Sequence, residues 1–563
     1  MYQFNKICLF FLFIIAYSAF AQSDVREQGL VTNDPMWRQA LGGAVVSLPS
    51  VQAQSAVVAL DGGNIRAYST SGNPMWNYSA RGRISPYVSR SREGTSYISR
   101  TNGTLIAVNR AGRELWRRDL GSALSAKVIV GWDGRLFAPA EKKIVCYTAS
   151  GNLLWTRTFD ASFFTAPKLD NDGGIIFALE NNEVCRVDHF GNVIKWRISN
   201  TPSVILSIEQ QKILVIYTDG SVEILGTTED WFISANIDVQ TILLPKLPSA
   251  PLAAAGKGNN FAAVMNDGRI TFISADEKKI LWTGDTHIKE MINSRNRPDL
   301  EVEMFYDERG IYVLSRNGAS CFTPDGKRLW FTFLQNAASA PAFGNDGMLY
   351  SGGIDWILYA YKIEDRILHE ENSIYGPKPQ GSYNMGRPRA PDAFIIPLNP
   401  QERRAKLDHI SKAISQGKVG ENESDWSSFL LTMSAGKEHI KLRLDAINLL
   451  GKIGSQETIP WLVNIFKTDT EPTIRAAAIT AIGNIGVDPQ GMALQTFLHL
   501  LIYDLTTKDD HILTAIASAT GALCRFSGPP LSEMGIKVLN LLSASHQPQI
   551  ARRQASRELA SLK

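Results

Sequence analysis

Ile65-Arg-Ala-Tyr-Ser-Thr-Ser-Gly-Asn-Pro-Met-Trp76 returns as Leu105-Ile-Ala-Val-Asn-Arg-Ala-Gly-Arg-Glu-Leu-Trp116 and as Ile144-Val-Cys-Tyr-Thr-Ala-Ser-Gly-Asn-Leu-Leu-Trp155. A shorter copy reads Cys321-Phe-Thr-Pro-Asp-Gly-Lys-Arg-Leu-Trp330. Alternating apolar residues give a strand of period two. A polar pair and a glycine then supply the positive φ of a tight hairpin, and a second strand carries the tryptophan. Upstream turns (Asp61-Gly62, Asn102-Gly103, Asp219-Gly220, Asp267-Gly268) and downstream small-residue strands (Ser85-Pro86, Ala166-Pro167, Ala250-Pro251, Ala340-Pro341) complete each unit. About four short strands in roughly 40 residues is the period of a β-propeller blade.

The repeat runs over residues 31–361. Its tryptophans are Trp37, Trp76, Trp116, Trp155, Trp196, Trp231, Trp282 and Trp330, spaced by 39, 40, 39, 41, 35, 51 and 48 residues. Each is expected to pack between blades and remove roughly 150–250 Å² from water. At ~25 cal/mol/Å² that is worth about 4–6 kcal/mol as an upper bound. Asp355-Trp-Ile-Leu-Tyr-Ala-Tyr361 begins a repeat without reaching its tryptophan, whereas Trp37 has no strand pair before it. The first segment should therefore close the last blade. The count is eight blades, with seven the alternative raised by the irregular spacings.

These units are similar to the quinoprotein-type (PQQ-like) propeller repeat, chiefly at the glycine and tryptophan positions. The resemblance implies one of two kinds of protein. One is the pyrroloquinoline-quinone-dependent dehydrogenases. The other is the non-catalytic exported propellers, among them the lipoprotein of the outer-membrane β-barrel assembly machinery. The dehydrogenases typically carry adjacent cysteines and long insertions, and this chain has neither.

From Gln401 the period becomes helical. Ile459, Leu462, Val463 and Phe466 form one apolar stripe. Pro472 suits a first helical turn and Gly486 a helix end. Leu442-Arg-Leu-Asp-Ala-Ile-Asn-Leu-Leu-Gly451 recurs 32 residues later as Ile474-Arg-Ala-Ala-Ala-Ile-Thr-Ala-Ile-Gly483. Residues 401–563 thus resemble short HEAT-type helical repeats, with a plain helical bundle the alternative. Between the two regions, residues 362–400 are rich in Pro and Gly and read as a linker. The fold expected is multidomain, all-β plus all-α: an eight-bladed β-propeller followed by a HEAT-like solenoid.

Residues 1–21 read as a signal peptide. Lys6 is the charged start, Ile7 to Ala16 the apolar run, and Ala19-Phe20-Ala21 the cleavage site. No cysteine stands at that site, so a lipid anchor there is not indicated. The expected location is periplasmic or secreted, after cleavage near Ala21, with no later membrane span. Cys146, Cys185, Cys321 and Cys524 read as buried small hydrophobes rather than disulfides. Cys185 is offset by one residue from the Cys146 position, which puts it on the opposite face of its strand.

With 58 Lys+Arg against 55 Asp+Glu and 20% charged residues overall, the chain is too balanced for a nucleic-acid coat. Its eight histidines form no ligand pair, and CxxC, P-loop and G-x-S-x-G motifs are missing. Asp170-Asn-Asp-Gly-Gly174 reads as a hairpin turn rather than a calcium loop. No catalytic, cofactor or metal site is expected. Two stretches are candidate interaction sites. One is an arginine run, Arg81, Arg83, Arg90, Arg92 and Arg100, in which Arg90 and Arg92 alternate onto one face. The other is the 283–302 insertion with His287, Lys289, Arg295 and Arg297. The leading functional reading is a non-enzymatic protein-interaction scaffold of the bacterial cell envelope, monomeric alone, with a role in outer-membrane protein assembly. A sensor or carrier holding a small ligand or glycan in the propeller funnel is the alternative. A quinone-dependent dehydrogenase ranks below both.

Overall fold

A computed structural model describes residues 34–363 and 399–562, apart from 53, 132, 172, 189, 209–211, 227–239, 289–300, 335, 345, 436–437, 504–508 and 528–530. The leader, most of the Pro-rich linker, Trp231, Lys289, Arg295 and Arg297 fall outside the described residues. Eight four-stranded antiparallel sheets form a β-propeller. Blades 1 to 7 span residues 50–79, 84–119, 129–158, 168–197, 202–244, 251–285 and 302–333. Blade 8 takes three strands from residues 342–362, and its outer strand is Trp37–Ala40, paired Trp37 to Ala360 and Ala40 to Ile357. Two compact units divide the molecule, one holding blades 6–8 and the other blades 1–4 with the helices.

The quoted repeat is the third and fourth strands of a blade. Ala67 lies opposite Trp76, Ala107 opposite Trp116, Cys146 opposite Trp155 and Cys321 opposite Trp330. A register shift follows immediately in each pair, a bulge that turns the outer strand. The tryptophan then reaches the glycine turn of the next blade. A Cβ on Gly112 would stand 2.6 Å from Cβ of Trp76, and one on Gly151 2.7 Å from the Trp116 ring. The Trp116 indole N–H donates to Ala149 O at 2.9 Å, and Arg118 Nε donates to Gly151 O at 2.6 Å. The turn glycine is therefore required twice, for its φ of +79° at Gly112 and for space. Gly112→Ala should cost roughly 1–3 kcal/mol from crowding alone, read as a fall in unfolding temperature. An unchanged midpoint would mean that this turn yields freely.

Burial of the tryptophans is graded. Trp155 is 1% exposed, and Trp116, Trp196 and Trp330 are also buried, while Trp37, Trp76 and Trp282 are partly open. Blade 5 departs from the repeat, because its outer strand is Gln240–Leu244 and carries no tryptophan. The uneven 35- and 51-residue spacings around Trp231 follow from this longer connection.

The four cysteines are free and buried. Cys146 lies opposite Trp155, whereas Cys185 lies opposite Lys195, one residue out of that register. Both enter one core with Trp155, Phe137 and Phe177, since the facing surfaces of blades 3 and 4 use opposite strand faces. Burial pushes the Cys185 and Cys524 thiols up to about 12.

Nine α-helices are seen among the described residues: α1 (Pro400–Ser415), α2 (Glu423–Ala435), α3 (Ile440–Ile453), α4 (Ile459–Thr468), α5 (Pro472–Ile485), α6 (Met492–Tyr503), α7 (Asp510–Arg525), α8 (Leu531–Ser543) and α9 (Gln549–Leu562). The helices α3, α5, α7 and α9 pack one on the next, and α4, α6 and α8 form a second layer. Close approach within the first layer depends on the repeated glycines. A Cβ on Gly451 would meet Cα of Ala481 at 2.9 Å, and one on Gly483 would meet Cα of Ala519 at 2.8 Å. Pro472 opens α5, and Gly486, in the left-handed region, closes it. Among the described residues, no helix is long and apolar enough to cross a membrane.

Candidate interaction surfaces

The carbonyl ends of the first-layer helices stand on the hairpin turns of blades 2 and 3. Ser150 Oγ donates to Asn484 O at 2.9 Å, and Thr95 Oγ1 to Arg525 O at 3.4 Å. Asn109 Nδ2 lies 3.5 Å from Ser561 O. The last carbonyls of a helix lack intrahelical partners and carry its negative partial charge. Hydroxyl and amide donors in the blade turns satisfy them. Between α1 and α2 the chain adds a backbone rung to blade 3: Val419 N donates to Leu154 O at 3.1 Å, and Lys418 bridges Trp155. This covers part of an outer strand that would otherwise offer free backbone groups.

A charged triad sits beside this rung. Asp133 and Arg135 flank the glycine of the first hairpin of blade 3, and Glu423 opens α2. Arg135 Nε lies 2.7 Å from Asp133 Oδ2, and its Nη2 lies 2.7 Å from Glu423 Oε1. The side chains are 9%, 12% and 5% exposed respectively. Burial pushes the Glu423 carboxyl above its ordinary range, and Arg135 pulls against that shift. Burial alone would lower Arg135, but Glu423 and Asp133 hold it above its ordinary value. The neighbouring Cys146 thiol is pushed well up by burial. Asp133, Arg135, Glu423, Ser427, Gln456 and Val487 help to line a recess of mixed polar and apolar character, about 560 Å³ including its mouth. Among the described residues, Ser427 Oγ and Gln456 Oε1 find no hydrogen-bond partner.

The arginine run does not form one surface. Arg90 is 2% exposed and donates to Gln52 O at 3.0 Å, Ser55 O at 2.6 Å and Ser55 Oγ at 2.9 Å. Its guanidinium ties blade 2 to blade 1 and is closed to an anionic partner. Contrary to the alternation expected from the sequence, Arg90 and Arg92 do not share a strand face. The strand Ile84–Arg90 ends at Arg90, so alternation stops, and Arg92 lies exposed in the turn. Arg100 is half-buried at the end of its own strand, beside Gly82. His287 has a φ of +62°, and its ring meets Phe331 edge-on at 5.0 Å. Asp170 is buried, paired with Arg186 Nε at 2.6 Å, and closes a hairpin through Gly173 N to its carbonyl at 3.0 Å. Among the described residues, no group of three or more His, Cys, Asp or Glu is placed to hold a metal ion.

The residues that join helices to blades were not singled out from the sequence. Arg135 and Glu423 are 288 positions apart, and neither sits in a motif. The one local hint is an arginine directly after an Asp-Gly turn, just before the apolar strand Leu136–Ala140.

Residues 101–230 match the family model described as outer membrane protein assembly factor BamB, a PQQ-type model, and residues 427–524 match HEAT repeats. No curated protein sequence matches. Among solved structures, BamB from Moraxella catarrhalis is 13% identical, with 58% of this chain and 99% of that one covered and a TM-score of 0.43. The computationally designed Ika8 protein is 12% identical over 60% of this chain and 99% of its own, with a TM-score of 0.44. Sqt1 from Saccharomyces cerevisiae is 8% identical over 59% and 99%, with a TM-score of 0.45. These likenesses concern the fold. The chain is an eight-bladed PQQ-like β-propeller carrying a C-terminal HEAT-like helical region, and it resembles BamB.

Proposed function

We propose that this protein is an exported, non-enzymatic interaction scaffold of the bacterial cell envelope, acting in outer-membrane protein assembly. The observation that carries the reading is the seating of the helical repeats on blades 2 and 3 by capped helix ends and a buried triad. That seat holds two kinds of repeat surface in one fixed relation, which is what a scaffold needs in order to bring partners together. The match of residues 101–230 to a family model described as an assembly factor supports the cellular setting. The leader-like residues 1–21 support export to the periplasm. The proposed contact residues are Arg92, Arg100 and His287, with Lys289, Arg295 and Arg297 of the insertion.

The test is crosslinking of the full chain in its native cell with mass-spectrometric readout, alongside outer-membrane β-barrel levels in a deletion strain. A dominant envelope-protein partner and depleted barrels are expected. Saturable binding of a small ligand or glycan without a protein partner would replace the scaffold with a carrier. A quinone-type absorbance band on the purified protein would replace it with a dehydrogenase.

A further inference from the structure

Six blades join their second and third strands by the same turn. In each, the fourth residue donates its N–H back to the carbonyl of the first: Gly63 to Leu60, Gly103 to Arg100, Asn182 to Leu179, Gly220 to Tyr217, Gly268 to Met265 and Trp356 to Gly353. That fourth residue has φ of +91°, +89°, +60°, +84°, +84° and +65° in turn. Glycine and asparagine accept this left-handed backbone readily, whereas a bulky residue there is an outlier. Four of the six turns use glycine for a second reason as well. The following chain passes so close that a Cβ would meet backbone oxygen at 2.2 Å at Gly63, 2.6 Å at Gly103, 2.7 Å at Gly220 and 2.2 Å at Gly268.

Blade 8 breaks this rule with tryptophan. The Trp356 side chain does not repay its backbone by burial, because the residue is 54% exposed, and Ile354 beside it is 64% exposed. The turn that holds them is firmly built. Gly353 N donates to Ile357 O at 2.7 Å, Ile354 N donates to Asn336 O at 2.7 Å, and the Tyr359 hydroxyl donates to the Asp355 carboxylate. A strained backbone that presents two apolar side chains from a rigid turn is a feature of a binding site rather than of a fold.

We propose that the Ile354-Asp355-Trp356 turn is a docking knob for a protein whose surface has an apolar pocket rimmed by a lysine or arginine. The knob is convex, so its partner is concave. Asp355, between the two apolar residues, is the only charge on the turn. Inserting both apolar side chains into a bilayer would drag that carboxylate toward hydrocarbon, at high cost. A protein pocket can instead meet it with a base. The proposal rests on the scaffold reading and names one of its contact points.

Trp356→Gly tests it, because the variant restores the residue the repeat prefers. A photoreactive amino acid at position 354 of the full chain reports contact in the native cell. The expected result is a crosslink to one protein, through a peptide of apolar residues flanked by Lys or Arg. Its yield should fall at least tenfold in Trp356→Gly, while the unfolding temperature holds or rises. An undiminished crosslink, or a fall of several degrees in unfolding temperature, overturns the proposal. Tryptophan-dependent sedimentation with phosphatidylethanolamine and phosphatidylglycerol vesicles would overturn it in favour of a membrane contact. Protein crosslinks from position 92 with none from 354 would sink the knob and leave the scaffold standing.

Discussion

Glu423→Ala is expected to loosen the helical region from blade 3 and to lower stability by roughly 3–5 kcal/mol, because it takes one carboxylate away from a buried guanidinium. Arg135 keeps Asp133, at 2.7 Å, in a site where the arginine side chain is 9% exposed. The remaining pair is still desolvated, so the loss exceeds that of a surface ion pair, typically about 0–1 kcal/mol. The change should be local before it is global. Hydrogen exchange should rise first at the Lys418–Val419 rung and in α2, and protease should find the connection between α1 and α2. The triple variant Asp133→Asn, Arg135→Met, Glu423→Leu should recover most of the loss, because it removes all three charges of the triad at once. A midpoint within a degree of the parent for Glu423→Ala would show that the triad does not hold the seat.

The second large effect is expected at Trp155. This side chain is 1% exposed, tilts against Phe137 at 5.9 Å, and fills a core shared by blades 3 and 4. Its ring also lies against the Gly191 turn, and its backbone bridges Lys418. Trp155→Ala should cost roughly 3–5 kcal/mol through lost burial and the cavity left behind. Trp76→Ala should cost less, since that side chain is partly exposed and its indole N–H lacks a partner among the described residues. Denaturation of the two variants side by side checks the ranking. Equal losses would mean that sequence-equivalent tryptophans contribute alike whatever their burial. Trp155→Ala alone should also raise exchange at the Lys418–Val419 rung.

The blades were readable because their determinants are short-range. A tryptophan and the residue opposite it are about nine positions apart, and the glycine turn lies between them, so one stretch of chain carries both. Blade 5 is less legible, because its outer strand, Gln240–Leu244, carries no tryptophan, and Trp231 lies outside the described residues. The helical repeats were readable for a similar reason. Gly451 and Gly483 recur at the repeat spacing because each lets its helix approach the next.

The arginines show the limit of that reading. Ser89-Arg90-Ser91-Arg92 alternates on paper, but the strand stops at Arg90, whose donors are taken by carbonyls some 35–40 positions away. The same holds for Glu423, an ordinary acidic residue near a helix start until Arg135 lies beside it. Trp356 reads as part of a repeat motif, and only the backbone shows it standing in a glycine's place. The amino-acid order by itself determined the two repeat architectures, their periods and the closing role of the first strand, because these follow from local patterning of strands, turns and helix faces. The tertiary structure alone decided which charges are buried, where the helices are seated and which aromatic side chain is left in the open, because those outcomes depend on contacts between residues far apart in the chain.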